Sequence, residues 1–517
     1  MKKIFVTLLA LALAAPVFAN DIEGVETENE AISEAEMSSE MAMAAKEKKP
    51  KKNVTYNEKG EIIKTGLNFG PLPAVAFDAD KGFQLGAILN IFNYGDGSDY
   101  PNYFSKWYFE ASWFTKGSML FQVMYDNKKL IPGVRWSTAA VCAVDKAFDF
   151  YGFNGYQSYL DYDRLAIGKA NKKGAQDPSQ YLFTPYYRAD RITAFFKTDF
   201  VGHITDNLYW EAGYNLRYFR EQPINRASIN KGKPEYNLYP DAMPTLFEQY
   251  IDWGLIRPEE TMDVHKNGFF NSSVRAGLMY DTRDKEGAPT HGIWAEGHVA
   301  LAPKWLGTTN PYYRYSFTWR QYLPIVKNDV LTFAYRLNYE GSFTNDCPYY
   351  VCPYITLLGE NDDKDGMGGY RTVRGILRDR VMGLDMASYN AEFRYRFVSF
   401  KWLKQNMAFA LSLFSDGTMV TRQRDMNFKS PYTPGSLEYM NALASYEAYK
   451  SRNAVDGEWL KEMPHITTGL GLRFIMNENF IVAFEYGMPI SNFYKKTSPY
   501  YKQDGTGAFY INIGYLF

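Results

Sequence analysis

The segment GMGGYRTVRGILRDRVMGLDMASYNAEFRYRF, residues 366–397, decides the fold assignment. Its first half has glycines around the tripeptide Val373-Arg374-Gly375, as expected for a tightly bent loop. Its second half alternates polar and apolar residues, the pattern of a β-strand with one polar face. Glu392 belongs to that polar face. The segment therefore predicts a loop arginine next to a strand that carries an inward-facing glutamate.

The same alternation recurs from Gly66 to Phe517 in stretches separated by turns or loops. An apolar-out, polar-in period of two, over segments of about ten residues, is typical of transmembrane β-barrel strands. Charged residues on the second face fit a wet lumen better than the dry core of a β-sandwich. Sixteen strands are predicted, near residues 66–77, 83–92, 105–115, 118–126, 133–143, 190–203, 207–219, 270–281, 291–301, 313–323, 329–341, 386–398, 405–416, 464–475, 479–489 and 506–517.

The lengths of the connections predict how the barrel is oriented. Those after even-numbered strands are mostly short, and the longest four follow strands five, seven, eleven and thirteen. Outer-membrane barrels have short periplasmic turns and longer outer loops. Both termini are therefore expected in the periplasm, and the tripeptide falls in the sixth outer loop, near residues 341–384.

The N-terminal region predicts export. Residues 1–19 combine a charged start, an apolar run and a small-residue cleavage site, which is the pattern of a secretory signal peptide. Residues 20–65 have few large apolar side chains and are predicted to be a disordered periplasmic tail. Residues 66–517 form the transmembrane barrel, and the expected location is the outer membrane of a Gram-negative cell.

Composition supports this class and limits the partners. The 57 basic and 58 acidic residues nearly cancel, so no nucleic-acid partner is expected. The 42 Tyr, 36 Phe and 10 Trp fit the aromatic girdles of a barrel in outer-membrane lipid, although a tyrosine-rich soluble β-protein would have a similar composition. After the signal, no apolar run approaches the ~20 residues that a membrane-spanning helix needs, so a helical membrane protein is excluded.

No pattern of catalytic or metal-binding residues emerges, so the chain is not expected to be an enzyme or to bind a cofactor or metal. The five histidines are scattered. The inward-facing acids Glu211, Glu296 and Glu485 are interpreted as ordinary lumen residues. Cys347 and Cys352, five positions apart, could pair or remain isolated thiols, whereas Cys142 has no evident partner.

In six features, the chain resembles the BamA/TamA-type outer-membrane assembly superfamily, also called bacterial surface antigen barrels. The features are Val373-Arg374-Gly375 in the sixth outer loop, Glu392 in the next strand, Asp416 in LFSDGTMV, YDTRD at 280–284 followed by Gly292, FYGFNGY at 150–156, and the aromatic C-terminus. The resemblance implies that the sixth outer loop folds into the lumen. There, Arg374 would meet Glu392 and Asp416, because a planar guanidinium can bridge two carboxylates with charge-assisted hydrogen bonds. We name Val373, Arg374, Gly375, Glu392 and Asp416 the lumen latch.

The resemblance also implies a weak seam between the first and last strands, at which an incoming strand can pair. The expected seam residues are Asn68 and Gly70 in the first strand and Phe509, Ile511, Ile513, Tyr515 and Phe517 in the last. Prolines at positions 71 and 73 fit an edge, because proline offers no amide to a ladder. Only residues 20–65 separate the signal from the barrel, so the periplasmic docking domains of the family are expected to be lacking.

The function implied is assembly or translocation of outer-membrane proteins. Its partners would be unfolded barrel substrates or accessory outer-membrane and periplasmic proteins. Two alternatives stay open at this point: a passive channel for small solutes, and a structural barrel that docks on partners in an outer-membrane complex.

Overall fold

The structure is a computed structural model. It describes residues 53–56, 62–78, 82–100, 102–170, 180–286, 288–326, 330–354, 366–402, 405–476, 480–513 and 517. The predicted signal peptide, most of the predicted tail and Tyr515 lie outside the described residues.

Sixteen antiparallel strands form a closed barrel, which confirms the predicted fold class. The barrel strands are β3 (Leu67–Asp78), β4 (Gly82–Asn93), β5 (Ser105–Phe114), β6 (Met119–Ile131), β7 (Val134–Asp149), β8 (Arg188–His203), β9 (Leu208–Pro223), β10 (Phe269–Asp281), β11 (Gly292–Ala302), β12 (Tyr312–Val326), β13 (Leu331–Ser342), β14 (Asp385–Trp402), β15 (Gln405–Arg422), β18 (His465–Met476), β19 (Phe480–Pro489) and β20 (Ala508–Ile513). Each overlaps one predicted strand. Several extend beyond the predicted bounds, β7 by six residues to Asp149, because the wall continues past the stretch of regular alternation.

The register of the strands separates a polar inner face from an apolar outer face. Across β13, β14, β15 and β18, the residues Arg336, Asn390, Asp416 and Thr467 pair in one continuous row, and all four are buried. Outward-facing residues one position away, such as Leu337, are exposed. The period of two seen in the sequence is therefore the inside–outside alternation of the barrel wall.

Two short hairpins lie outside the barrel wall. β16 (Ala454–Val455) pairs with β17 (Glu458–Trp459) in the connection between β15 and β18. β1 (Val54–Tyr56) pairs with β2 (Ile62–Lys64), and here the structure departs from the disorder expected for residues 20–65. The reason is local composition, because both segments consist largely of β-branched and aromatic residues, which favour strands.

The long connections after β7, β9, β13 and β15 form an apolar layer over one end of the barrel. We call this layer the outer cap, after the side on which the sequence predicts these connections. These connections contain α1 (Tyr162–Ala170), α2 (Arg226–Asn230), α3 (Leu246–Asp252) and α4 (Leu437–Arg452). α3 begins at a capping box between Thr245 and Glu248. It brings Trp253, which is fully buried, to 4.9 Å between ring centroids from Tyr449 of α4. None of the helices in the described ranges is long and apolar enough to cross a membrane.

Candidate functional site

Arg374 of the sixth outer connection contacts inward-facing residues of three wall strands. Its Nε and Nη2 donate to the two carboxylate oxygens of Asp416 on β15, at 2.8 and 3.0 Å, and its backbone amide donates to Asp416 Oδ2 at 3.0 Å. Nη1 donates to Glu392 Oε2 on β14 at 2.9 Å and to Glu485 Oε1 on β19 at 2.6 Å. The guanidinium also lies 3.6 Å from the ring centroid of Phe414, a cation–π contact. Arg374 is fully buried, so these groups replace its hydration shell.

Two further arginines bind the same carboxylates. Arg473 of β18 donates to both oxygens of Glu392, at 2.5 and 3.1 Å, and to Glu485 Oε1 at 2.7 Å. Arg394 donates to Glu392 Oε1 at 2.9 Å. We call Arg374, Arg394, Arg473, Glu392, Asp416 and Glu485 the lumen ion cluster. Its three cations and three anions link β14, β15, β18 and β19 to the sixth outer connection.

The sequence predicts Arg374 close to Glu392 and Asp416, and the structure brings these three residues together. Arg473 had no predicted role, and Glu485 was interpreted as an ordinary lumen acid. The inward parity of both residues was readable from the alternation. Their meeting with Arg374 was not, because it depends on which wall strands the loop reaches.

The backbone around Arg374 requires glycine. Gly375 has φ of 95°, in the region that favours glycine, and a Cβ there would lie 2.6 Å from the carbonyl carbon of Gly487. Its amide donates to the hydroxyl of Tyr510 on β20 at 3.1 Å. Val373 is fully buried and forms a β-bridge with Gly369. The tripeptide therefore packs directly against the inner side of β19 and β20.

Burial and charge act in opposite directions on Arg374. Burial lowers the pKa of its guanidinium, but the carboxylates of Asp416, Glu485 and Glu392 raise it more. The net effect holds the pKa well above its usual value, and the side chain stays cationic. It can therefore act as a fixed positive centre for the acids of the wall.

A second buried arginine, Arg380, joins the sixth outer connection to the FYGFNGY segment. Its Nη1 and Nη2 donate to the backbone oxygens of Gly155 and Ser158, at 3.0 and 2.8 Å, and its Nε donates to Gln503 O at 2.7 Å. Asn154 N donates to Met382 O at 2.6 Å. FYGFNGY stands out in the sequence, but no role for Arg380 could be predicted. The reason is that the partners of Arg380 are backbone carbonyls, which every residue has.

A histidine between two acids lies beside this junction. His465 is within 2.5 Å of Asp504 through Nδ1 and within 3.2 Å of Glu462 through Nε2. Tyr156 stacks on the His465 ring at 3.8 Å between centroids and donates its hydroxyl to Asp504 at 2.8 Å. All four residues are buried, so the group binds three connections together.

The YDTRD segment lies where β10 ends, at the barrel end away from the outer cap. Arg283 donates to both carboxylate oxygens of Asp281, at 3.0 and 2.7 Å. Its guanidinium lies 3.8 Å from the ring centroid of Trp294, and that of Arg320 lies 3.9 Å from the same ring. The contacts of Arg283 with Asp281 and Trp294 fix the start of the connection between β10 and β11.

That connection reaches across the barrel opening. Ala288 is buried in a cluster with inward residues of β15, β18 and β19: Ala408, Ala410, Ile475 and Ile481. On another side, Glu286 forms an ion pair with Lys128 of β6 at 3.2 Å. β6 and β15 are far apart in the strand order of the barrel. We call the connection, residues 282–291, the crossing turn.

Among the residues that the structure describes, the first and last barrel strands meet over a short junction. In the described part of the chain, β20 and β3 share one register pair, Ile511 with Phe77, whereas β11 and β12 pair continuously from Gly292 to Ala302. The predicted seam residues in described positions are Asn68 and Gly70 on β3, Phe509, Ile511 and Ile513 on β20, and Phe517. Asn68 Nδ2 donates to Thr65 O at 2.9 Å. A Cβ on Gly70 would have room, with its nearest neighbour 3.8 Å away.

Phe517 lies inside the barrel rather than on the outer face of the last strand, where the alternation had placed it. Its ring is buried in a cluster with Tyr322 and Ala334. The guanidinium groups of Arg394 and Arg336 lie 5.1 and 5.6 Å from its centroid, and Arg394 Nη2 donates to Phe517 O at 3.0 Å. The two guanidinium groups therefore surround the ring with a cation–π environment inside the barrel.

One family model matches the chain, and several solved structures are similar to it. A model of the Omp85 superfamily domain matches residues 176–517. No curated protein matches the chain. Similar solved structures include BamA from Haemophilus ducreyi lacking POTRA domains 1–3, at 14% identity and a TM-score of 0.46, covering 96% of this chain and 82% of that one. CdiB from Escherichia coli is similar at 10% identity and a TM-score of 0.47, covering 89% of this chain and 66% of that one.

The family match includes the sixth outer connection, the strands of the lumen ion cluster and the C-terminal strand. With the closed sixteen-stranded barrel described above, it shows that the chain is an outer-membrane β-barrel that belongs to the Omp85 superfamily.

Proposed function

We propose that this barrel assembles or translocates other outer-membrane proteins by opening the junction between β20 and β3 and pairing an incoming strand with the edge of β3 that becomes free. The observation that carries the proposal is the junction between β20 and β3, with its single described register pair. An open strand edge is a template for another strand. In a bilayer, a free strand edge pairs more strongly with another strand, because each unsatisfied backbone group in hydrocarbon costs several kcal/mol.

The composition of β3 supports this use of its edge. It contains Pro71 and Pro73, and prolines are confined to edges and bulges because they offer no amide to a ladder. β3 pairs with β4 from Leu67 to Asp78, so one side of the strand is satisfied over its whole length. An incoming strand would satisfy the other side.

The lumen ion cluster links the wall strands on the other side of β20. It lies on β14, β15, β18 and β19, the four strands that precede β20 in the ring. We infer that the sixth outer loop folds into the lumen as the lumen latch and holds this part of the wall together. Opening would then be confined to the seam.

The passive-channel alternative has less support. The outer cap covers one end of the barrel, and the crossing turn spans the other. A solute would have to pass both, as well as the buried charges around Arg374. We therefore favour protein assembly or translocation over free diffusion of small molecules.

Orientation and partners are part of the proposal. The outer cap would face the cell exterior, and both termini would face the periplasm after removal of residues 1–19. Unfolded barrel substrates would then approach from the side of the crossing turn, alone or delivered by accessory periplasmic or outer-membrane proteins.

The proposal is tested by joining the two seam strands covalently. In a Cys142→Ser background, Phe77→Cys and Ile511→Cys place thiols on the described register pair. Phe317→Cys with Tyr339→Cys is the matched control, because these residues pair between β12 and β13 and both face outward. Each variant in lipid vesicles receives a urea-unfolded outer-membrane barrel, and insertion is followed by protease protection and heat-modified mobility.

Oxidation of the seam variant should abolish most insertion, and reduction should restore it. The oxidised control should keep the activity of its reduced form. Equal insertion by the oxidised and reduced seam variants would show that the seam does not need to open.

A further inference from the structure

We propose that Cys347 and Cys352 are joined by a disulfide in the mature protein, closing a small ring in the outer cap. The inference is independent of the proposed function. Both side chains are buried, with 1% and 0% of their surface exposed. The chain turns back between them, since the amides of Val351 and Cys352 donate to Pro348 O at 3.0 and 3.3 Å. The turn places Cys352 Sγ 3.4 Å from Pro348 O and 4.0 Å from Cys347 O, so the two cysteines lie side by side.

In the packed cap, two arginines lie next to the reduced pair. Arg424 Nη1 lies 3.4 Å from Cys352 Sγ and donates to Cys347 O at 2.6 Å. The neighbouring thiol, Arg424 and Arg314 lower the pKa of the Cys352 thiol to about 6, whereas the hydrogen bond with Cys352 and burial raise the pKa of Cys347. These shifts belong to the packed, reduced pair. The case for the bond rests on the position of the two residues in the turn and on their burial.

The third cysteine provides a contrast within the same chain. Cys142 lies on the outward face of β7, between Phe121 of β6 and Ala194 of β8, and is exposed. It is separated from the outer cap by the wall. All three are free thiols in the structure, and among them only Cys347 and Cys352 lie beside each other.

Formation of the Cys347–Cys352 bond requires an oxidant. The oxidant would be an exported thiol–disulfide oxidoreductase in its disulfide form. One cysteine thiolate attacks the disulfide of the oxidant, forming a mixed disulfide and releasing one oxidant thiolate. The second cysteine, after losing its proton, attacks the mixed disulfide and releases the other oxidant thiolate. The product is the Cys347–Cys352 bond and a reduced oxidant dithiol, which carries the two protons. Because both sulfurs are buried in the packed cap, the reaction precedes packing, and the cap then shields the bond from reductants.

The ring would fix contacts between connections of the cap. Arg424, from the connection after β15, donates to the carbonyl of Cys347, and its backbone amide donates to Asn154 Oδ1 at 2.7 Å. Arg314 of β12 donates to Val351 O at 2.8 Å. A closed ring holds these carbonyl acceptors in place and restricts the unfolded loop.

The test is a thiol count on the protein from cells that export it. Cells are quenched in acid, and the protein is alkylated under denaturing conditions with or without prior reduction and cut with trypsin. Residues 337–364 form one fragment that contains both cap cysteines, and residues 136–146 form another that contains Cys142. Without reduction, the first fragment should carry no alkyl group and the second should carry one. After reduction, the first should carry two. Alkylation of fragment 337–364 without reduction, or a cross-link between the two fragments, would overturn the proposal.

Variants provide a second measurement. Cys347→Ser, Cys352→Ser and the double variant should lower the temperature of heat-modified mobility by the same amount, because each removes the same bond. If the loss in the double variant were the sum of the losses in the single variants, the cysteines would be acting as separate packing groups and the disulfide would be excluded.

Discussion

The two sides of β20 differ in how they are held. On one side, β14, β15, β18 and β19 pair over long registers and share the buried lumen ion cluster. On the other side, β3 meets β20 at a single described register pair. The wall is thus paired extensively up to β20, and β20 borders the shortest junction in the described part of the ring.

This difference suggests that one part of the sheet keeps its arrangement while another part can open. Charged groups buried in a wall are weak evidence for extra stability, since removing them from water offsets much of their attraction. They do specify one arrangement, because a displaced strand would leave a buried charge unpaired. We interpret the lumen ion cluster as a device that prevents opening anywhere except at the seam.

The largest expected effect comes from removing the cation at the centre of the rigid side. Arg374→Ala leaves Asp416 without its main partner and weakens the neutralisation of Glu392 and Glu485. Loss of one partner from a buried ion network costs about 3–5 kcal/mol. We therefore expect a large fall in the free energy of unfolding, measured in urea by heat-modified mobility. Arg374→Lys should recover only part of it, because an ammonium cannot match the bidentate contact with Asp416.

Arg452→Ala is the matched control for this change. Arg452 lies at the end of α4 and is exposed, so its loss should leave the unfolding curve within about 0.5 kcal/mol of the parent. If Arg374→Ala unfolded at the same urea concentration as this control, the lumen ion cluster would not hold the wall, and the comparison between the two sides of β20 would fail.

Phe517→Ala should have an intermediate effect, on the pairing of β20 with β3. The ring of Phe517 lies inside the barrel near Arg394 and Arg336. We infer that this anchor competes with pairing between the chain end and β3. Removing it should let β20 meet β3 more often. Cross-linking between Phe77→Cys and Ile511→Cys should then become faster, by about fivefold, since a cation–π contact is worth on the order of 1 kcal/mol.

Phe493→Ala is the control for the loss of an aromatic ring, because Phe493 is exposed in the connection between β19 and β20. Its cross-linking rate should equal that of the parent. An unchanged rate in Phe517→Ala as well would mean that the terminal anchor does not influence the seam.

The sequence predicted the wall better than the contents of the lumen, for a physical reason. Strand positions and the inward parity of Glu392 and Asp416 follow from a local period of two, which each strand carries in its own residues. The meeting of Arg374 with Glu485 and Arg473 depends on residues about 100 positions apart in the chain. It follows only once the ring is closed and the loop is positioned.

Two other features illustrate the same limit. Phe517 continues the apolar series of the last strand, yet two arginines on distant strands make the interior its better environment. The sequence predicts a short periplasmic connection around YDTRD, where the crossing turn begins in the structure. The contact of this turn with Ala408 and Ile475 could not be inferred, because small apolar residues at inward positions carry no distinctive signal.

The smallest expected effect concerns the crossing turn, and it tests whether the barrel is sealed at that end. Glu286→Lys reverses the charge that faces Lys128 and Arg135, at 3.2 and 3.7 Å in the parent. Since the pair is exposed, its contribution is about 0–1 kcal/mol, enough to change the population of an open turn only a few-fold. Planar bilayers at low salt should therefore show more frequent brief openings for Glu286→Lys than for the parent. At 1 M salt the difference should vanish, because the Debye length falls to about 3 Å. Adding Lys128→Glu should restore the parent behaviour by recreating the pair with opposite charges. If the parent already conducts steadily at both salt concentrations, the turn does not close the lumen, and the passive-channel alternative regains support.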